Sequence, residues 1–271
     1  RLTALRALGR AHVALHRTDL ALADWERLVA LVEAEQGPDS VELVSALNNL
    51  ATACSELGDP EAALRALARA EAVALRTVGA EHPFMVAILT NRGIAERKRG
   101  RTAEARALQE QALSLRTRLH GDAHPGLANN LDELGELARL RGDHTAALAH
   151  LERALRLRED ALGTEHSSLV GTLVLLARAR LDLGDPVKAQ TVLDRALVLV
   201  GRDGADPVDR AEVELLLARA AEARDPAAAR RLAVAAEEHG AVAGTPGNAV
   251  RDEARAWLAA NPVDGATGRR P

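Results

Sequence analysis

Val41 to Pro60 reads Val-Glu-Leu-Val-Ser-Ala-Leu-Asn-Asn-Leu-Ala-Thr-Ala-Cys-Ser-Glu-Leu-Gly-Asp-Pro. Its apolar residues, Val41, Val44, Leu47, Leu50, Ala51, Cys54 and Leu57, follow the three-and-four spacing of an amphipathic helix. Gly58-Asp59-Pro60 ends that helix, because glycine accepts a left-handed backbone and proline suits the first turn of the next helix. The same step recurs at Gly100-Arg101-Thr102, Gly142-Asp143-His144 and Gly184-Asp185-Pro186, each glycine 42 residues after the last. A second ladder, Gly37, Gly79, Gly121 and Gly163, keeps the same period half a repeat out of phase. One unit of helix, tight turn, helix and loop has therefore been copied along the chain. A fixed period of this size marks a stacked-repeat architecture in which each unit touches its neighbours.

Three more ladders run in register with the glycines. Small residues recur on the first helix of each unit as Gly9, Ala51, Gly93, Gly135 and Ala177. On the second helix alanine recurs as Ala21, Ala63, Ala105, Ala147 and Ala189, and again as Ala70, Ala112, Ala154 and Ala196, with Leu28 in the first unit. Small residues at fixed places let helices touch along their backbones, and Leu47, Leu89, Leu131 and Leu173 fill the space beside them. This is a packing pattern, and it carries no chemistry.

Composition narrows the function. The 271 residues are 47% apolar, with Trp25, Phe84 and Trp257 as the aromatic residues, so the interior is built from Ala, Leu and Val. A net charge of −4 lacks the basic footprint of a nucleic-acid binder. Cys54, the single cysteine, has no partner for an internal disulfide and reads as a small core residue. The apolar run from Leu169 to Ala177 is stopped by Arg178, short of the roughly 18 residues that a membrane span requires. No signal-like segment is present, and the chain is expected to be cytoplasmic with no direct membrane contact. It begins at Arg1 rather than Met and reads as an excerpt from a longer polypeptide.

No glycine-rich phosphate loop occurs. His12 and His16 stand four apart but lack further ligands of suitable spacing, so they read as solvated helix residues and not a metal site. His82, His124 and His166 read as capping and packing residues of the loops. Asp203-Gly204-Ala205-Asp206 with Asp209 lacks the alternating ligands of a calcium loop and reads as a turn. Neither a catalytic residue nor a cofactor is expected.

The spacing and motifs resemble the tetratricopeptide repeats, in particular their 42-residue kinesin-light-chain-like subtype. That subtype opens with Gly-x-x-His-Pro, present here as Gly79-Ala80-Glu81-His82-Pro83 and Gly121-Asp122-Ala123-His124-Pro125 and altered at Gly163-Thr164-Glu165-His166-Ser167. Its helix signature stands as Leu47-Asn48-Asn49-Leu50-Ala51, and Glu152 to Glu159 fits the closing motif. The resemblance covers roughly residues 2–240, although Leu and Ala replace the aromatics often found between helices. It implies an all-α, right-handed superhelical solenoid of antiparallel helix pairs. Six pairs are expected, at about 1–37, 38–79, 80–121, 122–163, 164–204 and 205–240. A capping helix at 246–260 with Trp257, Val250 and Leu258 as its lid, and an unstructured tail at 261–271, complete the organisation.

The resemblance also implies a non-catalytic scaffold that binds a protein or extended peptide on the face lined by the first helices. Asn48, Thr52, Thr90, Asn129, Asp132, Glu136, Arg139 and Arg178 are the candidate contact residues, with Ser45, Ser55 and Arg97 beside them. The Lys/Asn pattern with which some members grip a C-terminal carboxylate is not reproduced; Arg6, Arg10 and Asn49 are a partial echo. Phe84 and Met85, at a helix start, are expected to pack against the previous helix. Ala254 to Leu258 resembles the ends of C-terminal regions of bacterial serine/threonine protein kinases. A kinase parent and a free-standing adaptor both remain open, and no kinase motif lies in these residues.

Overall fold

The computed structural model describes residues 1–15, 17–201 and 206–262. Every regular element among them is helical. In chain order these are α1 (Leu2–Ala14), α2 (Thr18–Gln36), α3 (Val41–Glu56), α4 (Pro60–Thr77), α5 (Pro83–Lys98), α6 (Thr102–His120) and α7 (Leu127–Leu140). They continue as α8 (His144–Leu162), α9 (Val170–Asp182), α10 (Pro186–Val200), α11 (Pro207–Ala221), α12 (Pro226–Val242) and α13 (Asn248–Ala260). Short 3-10 turns at Ser167–Leu169 and Thr245–Gly247 lead into α9 and α13. His16, residues 203–205 of the expected turn and residues 263–271 of the expected tail lie outside the described residues.

The turns show why the glycine ladders exist. All eight ladder glycines have φ between 77° and 85°. A Cβ added to any of them would meet open space, so backbone conformation and not crowding selects glycine. At Gly58 the amide donates to the Ser55 carbonyl at 3.2 Å and the next amide, of Asp59, to Cys54 at 2.9 Å. This is the paired bond of a Schellman stop. The aspartate then serves the following helix, since its Oδ1 accepts from the Ala62 amide at 2.8 Å. Asp143, Asp185 and Asp225 cap α8, α10 and α12 in the same way, each worth about 1 kcal/mol. Arg101 at the same place before α6 supplies no side-chain cap.

The loop histidines behave as expected. The Nδ1 atoms of His82, His124 and His166 accept backbone amides two residues on, at 3.2, 3.1 and 3.1 Å. Ser40 does the same before α3, and Asp206 before α11. These side chains start helices, and the histidines spend Nδ1 on doing so.

The chain forms two compact units, Arg1–Leu137 and Ala138–Pro271, with the division falling inside α7. In the first, Leu43, Leu47, Leu67 and Ile88 sit in one core with Ala21, Ala63, Ala70 and Ala112, all at most 2% exposed. In the second, Leu169, Leu173, Leu193 and Leu199 pack with Ala177, Ala189 and Ala196. Every alanine of both second-helix ladders is fully buried, and Leu28 is 1% exposed. Cys54 is 7% exposed and its thiol pKa is pushed up, mainly by burial. Met85 is buried, whereas Phe84 is only half-buried, its ring 4.8 Å from that of His82. In α13, Val250 and Trp257 pack on Leu215, Ala236 and Ala254.

A candidate peptide groove on the first helices

Within each unit the first helices of successive pairs run close to one another. α3 approaches α5 in the first unit; α9 approaches α11, and α11 approaches α13, in the second. Polar side chains on this face therefore meet partners from the next repeat, although 34–43 residues separate them in sequence.

In the first unit, Asn91 Nδ2 on α5 donates to Asn48 Oδ1 at 3.0 Å and to Thr52 Oγ1 at 3.4 Å, both on α3. Thr52 donates in turn to the Asn48 carbonyl. The structure thus brings Asn48 and Thr52 together through Asn91, a residue the sequence reading did not single out. Arg97 Nε reaches Glu133 Oε2 at 3.0 Å, joining α5 to α7, and Arg6 pairs with Glu42. Arg6 is therefore engaged by a carboxylate of its own chain. Asn129 is exposed, and Asp132 and Glu136 are half-buried. With Arg139 they share one stripe of α7 at the three-and-four spacing.

Thr90 departs from the expected contact face. Its hydroxyl donates to the Val86 carbonyl at 2.8 Å and accepts from Asn130 Nδ2 at 2.9 Å. Asn130 also donates to Gln109 Oε1 at 2.8 Å, and Gln109 Nε2 to the Thr90 carbonyl at 2.9 Å. Arg116 Nη1 completes the cluster by donating to Asn130 Oδ1 at 2.8 Å and to the Gly126 carbonyl. Gln109 and Asn130 are fully buried. Thr90 therefore links α5 to α7 through its hydroxyl. A signal for this cluster was in the sequence: Gln109 stands where the repeat has Leu67, Leu151 and Leu193.

In the second unit the first-helix face forms a groove of about 660 Å³. Arg139, Arg178, Asp182, Arg219, Glu253 and Trp257 are among its lining residues, beside Leu181 and Leu216. Three guanidinium–carboxylate pairs bridge successive first helices: Arg139 to Asp182 at 2.7 Å, Arg178 to Glu212 at 2.5 Å and Arg219 to Glu253 at 3.1 Å. Trp257 Nε1 donates to Glu222 at 3.3 Å. The expected residues Arg139 and Arg178 thus share a groove, while Asp182, Arg219, Glu253 and Trp257 were missed as its lining. The groove is thus lined by guanidinium donors and carboxylate acceptors.

Outside this face, His12 Nδ1 lies 2.7 Å from Asp24 Oδ2. Among the described residues no group of three His, Cys, Asp or Glu converges as metal ligands, and no helix is long and apolar enough to cross a membrane.

Comparison with known proteins agrees with this architecture. A putative kinesin light chain of Podosopora anserina with nearly identical TPR-like repeats is 22% identical, with a TM-score of 0.60 over 78% of this chain and 99% of that one. BtubC (BKLC) from P. vanneervenii is 18% identical, with a TM-score of 0.62 over 99% and 96% of the two chains. The Rap conjugation gene regulator of the plasmid pLS20, solved in complex with the Phr* peptide, is 12% identical, with a TM-score of 0.68 over 95% and 75%. None of the curated proteins compared matches the sequence. The Tetratricopeptide repeat family model matches residues 1–76 and 84–160, more than half of the chain. With its helix pairs, glycine stops and buried alanine ladders, the chain belongs to the tetratricopeptide-repeat family.

Proposed function

We propose that the chain is a protein-interaction scaffold that receives an extended segment of a partner on its first-helix face, chiefly in the groove of the second unit. The observation that carries this reading is the set of three arginine–carboxylate pairs lining or flanking one groove. A peptide backbone presents alternating carbonyl acceptors and amide donors, which match guanidinium donors and carboxylate acceptors. The tetratricopeptide fold itself serves protein interaction and not catalysis. The likeness to a regulator solved with a peptide lends support to a peptide as occupant.

The test compares two pairs of substitutions in capture of native partners. Changing Asp132 and Arg139 together to Ala should weaken capture while leaving helicity intact. Changing Arg153 and Arg156 on α8 to Ala should leave capture unchanged. If the α8 pair abolishes capture and the α7 pair does not, the first-helix assignment fails. The resemblance of Ala254 to Leu258 supports a larger parent of the bacterial serine/threonine kinase type. Sequence upstream of Arg1 should then carry a kinase glycine-rich loop and catalytic loop; without them the free-standing adaptor is the better reading.

A further inference from the structure

A second and larger groove, of about 1240 Å³, lies in the second unit and shares Arg219, Glu222 and Trp257 with the first. It is formed by the α11–α12 turn, the first two turns of α12, the end of α13 and the start of α10. Its volume exceeds the roughly 300–1,000 Å³ of a small-molecule site, so it suits a length of polypeptide better than a metabolite. Pro186, Pro226, Val234, Ala227 and Trp257 supply an apolar surface, and Val234 is 39% exposed although it belongs to a helix whose other face is core.

The charges around this surface are unequal. Arg219, Arg230 and Arg231 border it, against Glu222 alone among its lining acids. Arg219 is balanced by Glu253, and Glu222 accepts the Trp257 indole N–H. Arg230 is held by a neutral group, the Asn261 carbonyl, at 2.9 Å. Asp225, at the N-cap of α12, is spent on the Ala228 amide. Two guanidinium groups one residue apart, Arg230 and Arg231, thus stand over an apolar floor with no carboxylate paired to either among the described contacts. An aliphatic or aromatic anchor beside closely spaced carboxylates would complement both features.

We infer that this groove docks an acidic, amphipathic segment of a partner protein, at a site that adjoins the first-helix groove along Arg219, Glu222 and Trp257. The chain's own end, Val263 to Pro271, has Arg269 and Arg270 against Asp264 and is a poor match in charge. The inference does not depend on what the first-helix face binds.

Fluorescence anisotropy with a short, fluorescein-labelled peptide of Leu and Glu tests it on the whole chain, beside a control in which every Glu is Gln. The acidic peptide should bind, and binding should weaken as salt rises. Arg231→Glu should weaken it about tenfold, as reversal of an interfacial charge does. Val234→Asp should abolish it, and Asp132→Ala with Arg139→Ala should leave it unchanged. The inference is overturned if the acidic peptide binds no better than its Gln control, or if Arg231→Glu has no effect. An oligonucleotide competing as well as the peptide would make the patch a general polyanion site and overturn it too. So would tighter binding after removal of residues 263–271, which would assign the groove to the chain's own end.

Discussion

The second and third repeats solve one packing problem in two ways. Where the second repeat meets the third, the register carries Ala51, Leu67, Ala74 and Ile88, all apolar and at most 1% exposed. Where the third meets the fourth, the same positions hold Gly93, Gln109, Arg116 and Asn130, and the space is filled by a hydrogen-bonded cluster that includes Thr90. A Cβ on Gly93 would fall 2.7 Å from Gln109 Nε2, so the glycine answers the amide. The first repeat makes the same bargain with a larger partner, since a Cβ on Gly9 would fall 2.8 Å from the Trp25 ring. The repeat thus prescribes a volume and leaves its chemistry free, provided every buried polar atom finds a partner.

The largest effect is expected from breaking the polar version halfway. Asn130→Ala removes the acceptor of Arg116 and the donor to Gln109, and should cost about 3 kcal/mol, the penalty of orphaned buried polar groups. Converting Gln109, Arg116 and Asn130 together to the Leu, Ala and Ile found 42 residues earlier should cost less, because no buried side-chain amide or guanidinium is left unpaired. Denaturant melts of the two variants decide it. A triple variant less stable than Asn130→Ala would mean that the two cores are not interchangeable.

Gly93→Ala should cost about 1–3 kcal/mol as an overpacking change. Gln109→Leu in the same chain should recover part of that loss, since the second repeat pairs Leu67 with Ala51. Strict additivity of the two substitutions would show that they do not meet. Ala105→Phe, at a fully buried crossing, should fall in the same range. Its neighbour Arg106 is exposed and paired with Glu110 at 2.7 Å, so Arg106→Phe should cost about 0.5 kcal/mol or less. Equal melting temperatures for those two variants would place the alanine ladder in the wrong register.

The smallest contrast concerns the caps. Asp143→Ala should cost about 1 kcal/mol by freeing the Ala146 amide. Arg101→Ala, at the same register before α6, removes no capping bond and should cost less. Amide exchange at the first turns of α8 and α6 would read the difference directly: faster exchange is expected at α8 only.

The sequence by itself determined the helix pairs, their stops and their alanine contacts. Those features depend on residues close together in the chain: a left-handed φ at Gly58, a cap at Asp59, a small residue once per repeat. The loop histidines were legible for the same reason, because each bonds an amide two residues away. Only the tertiary structure decided which partners the polar residues of the first helices meet. Asn48 and Thr90 look alike on a helical wheel, yet one meets Asn91 on the first-helix face and the other is consumed by Asn130. The pairs that build the groove, Arg139 with Asp182 and Arg178 with Glu212, depend on how far one first helix slides past the next. Repeat spacing bounds that slide but does not set it; the packing of the intervening helices does. Trp257 is the clearest case, since the chain marks it as a lid, and packing on Ala254 and Leu215 leaves its ring lining two grooves.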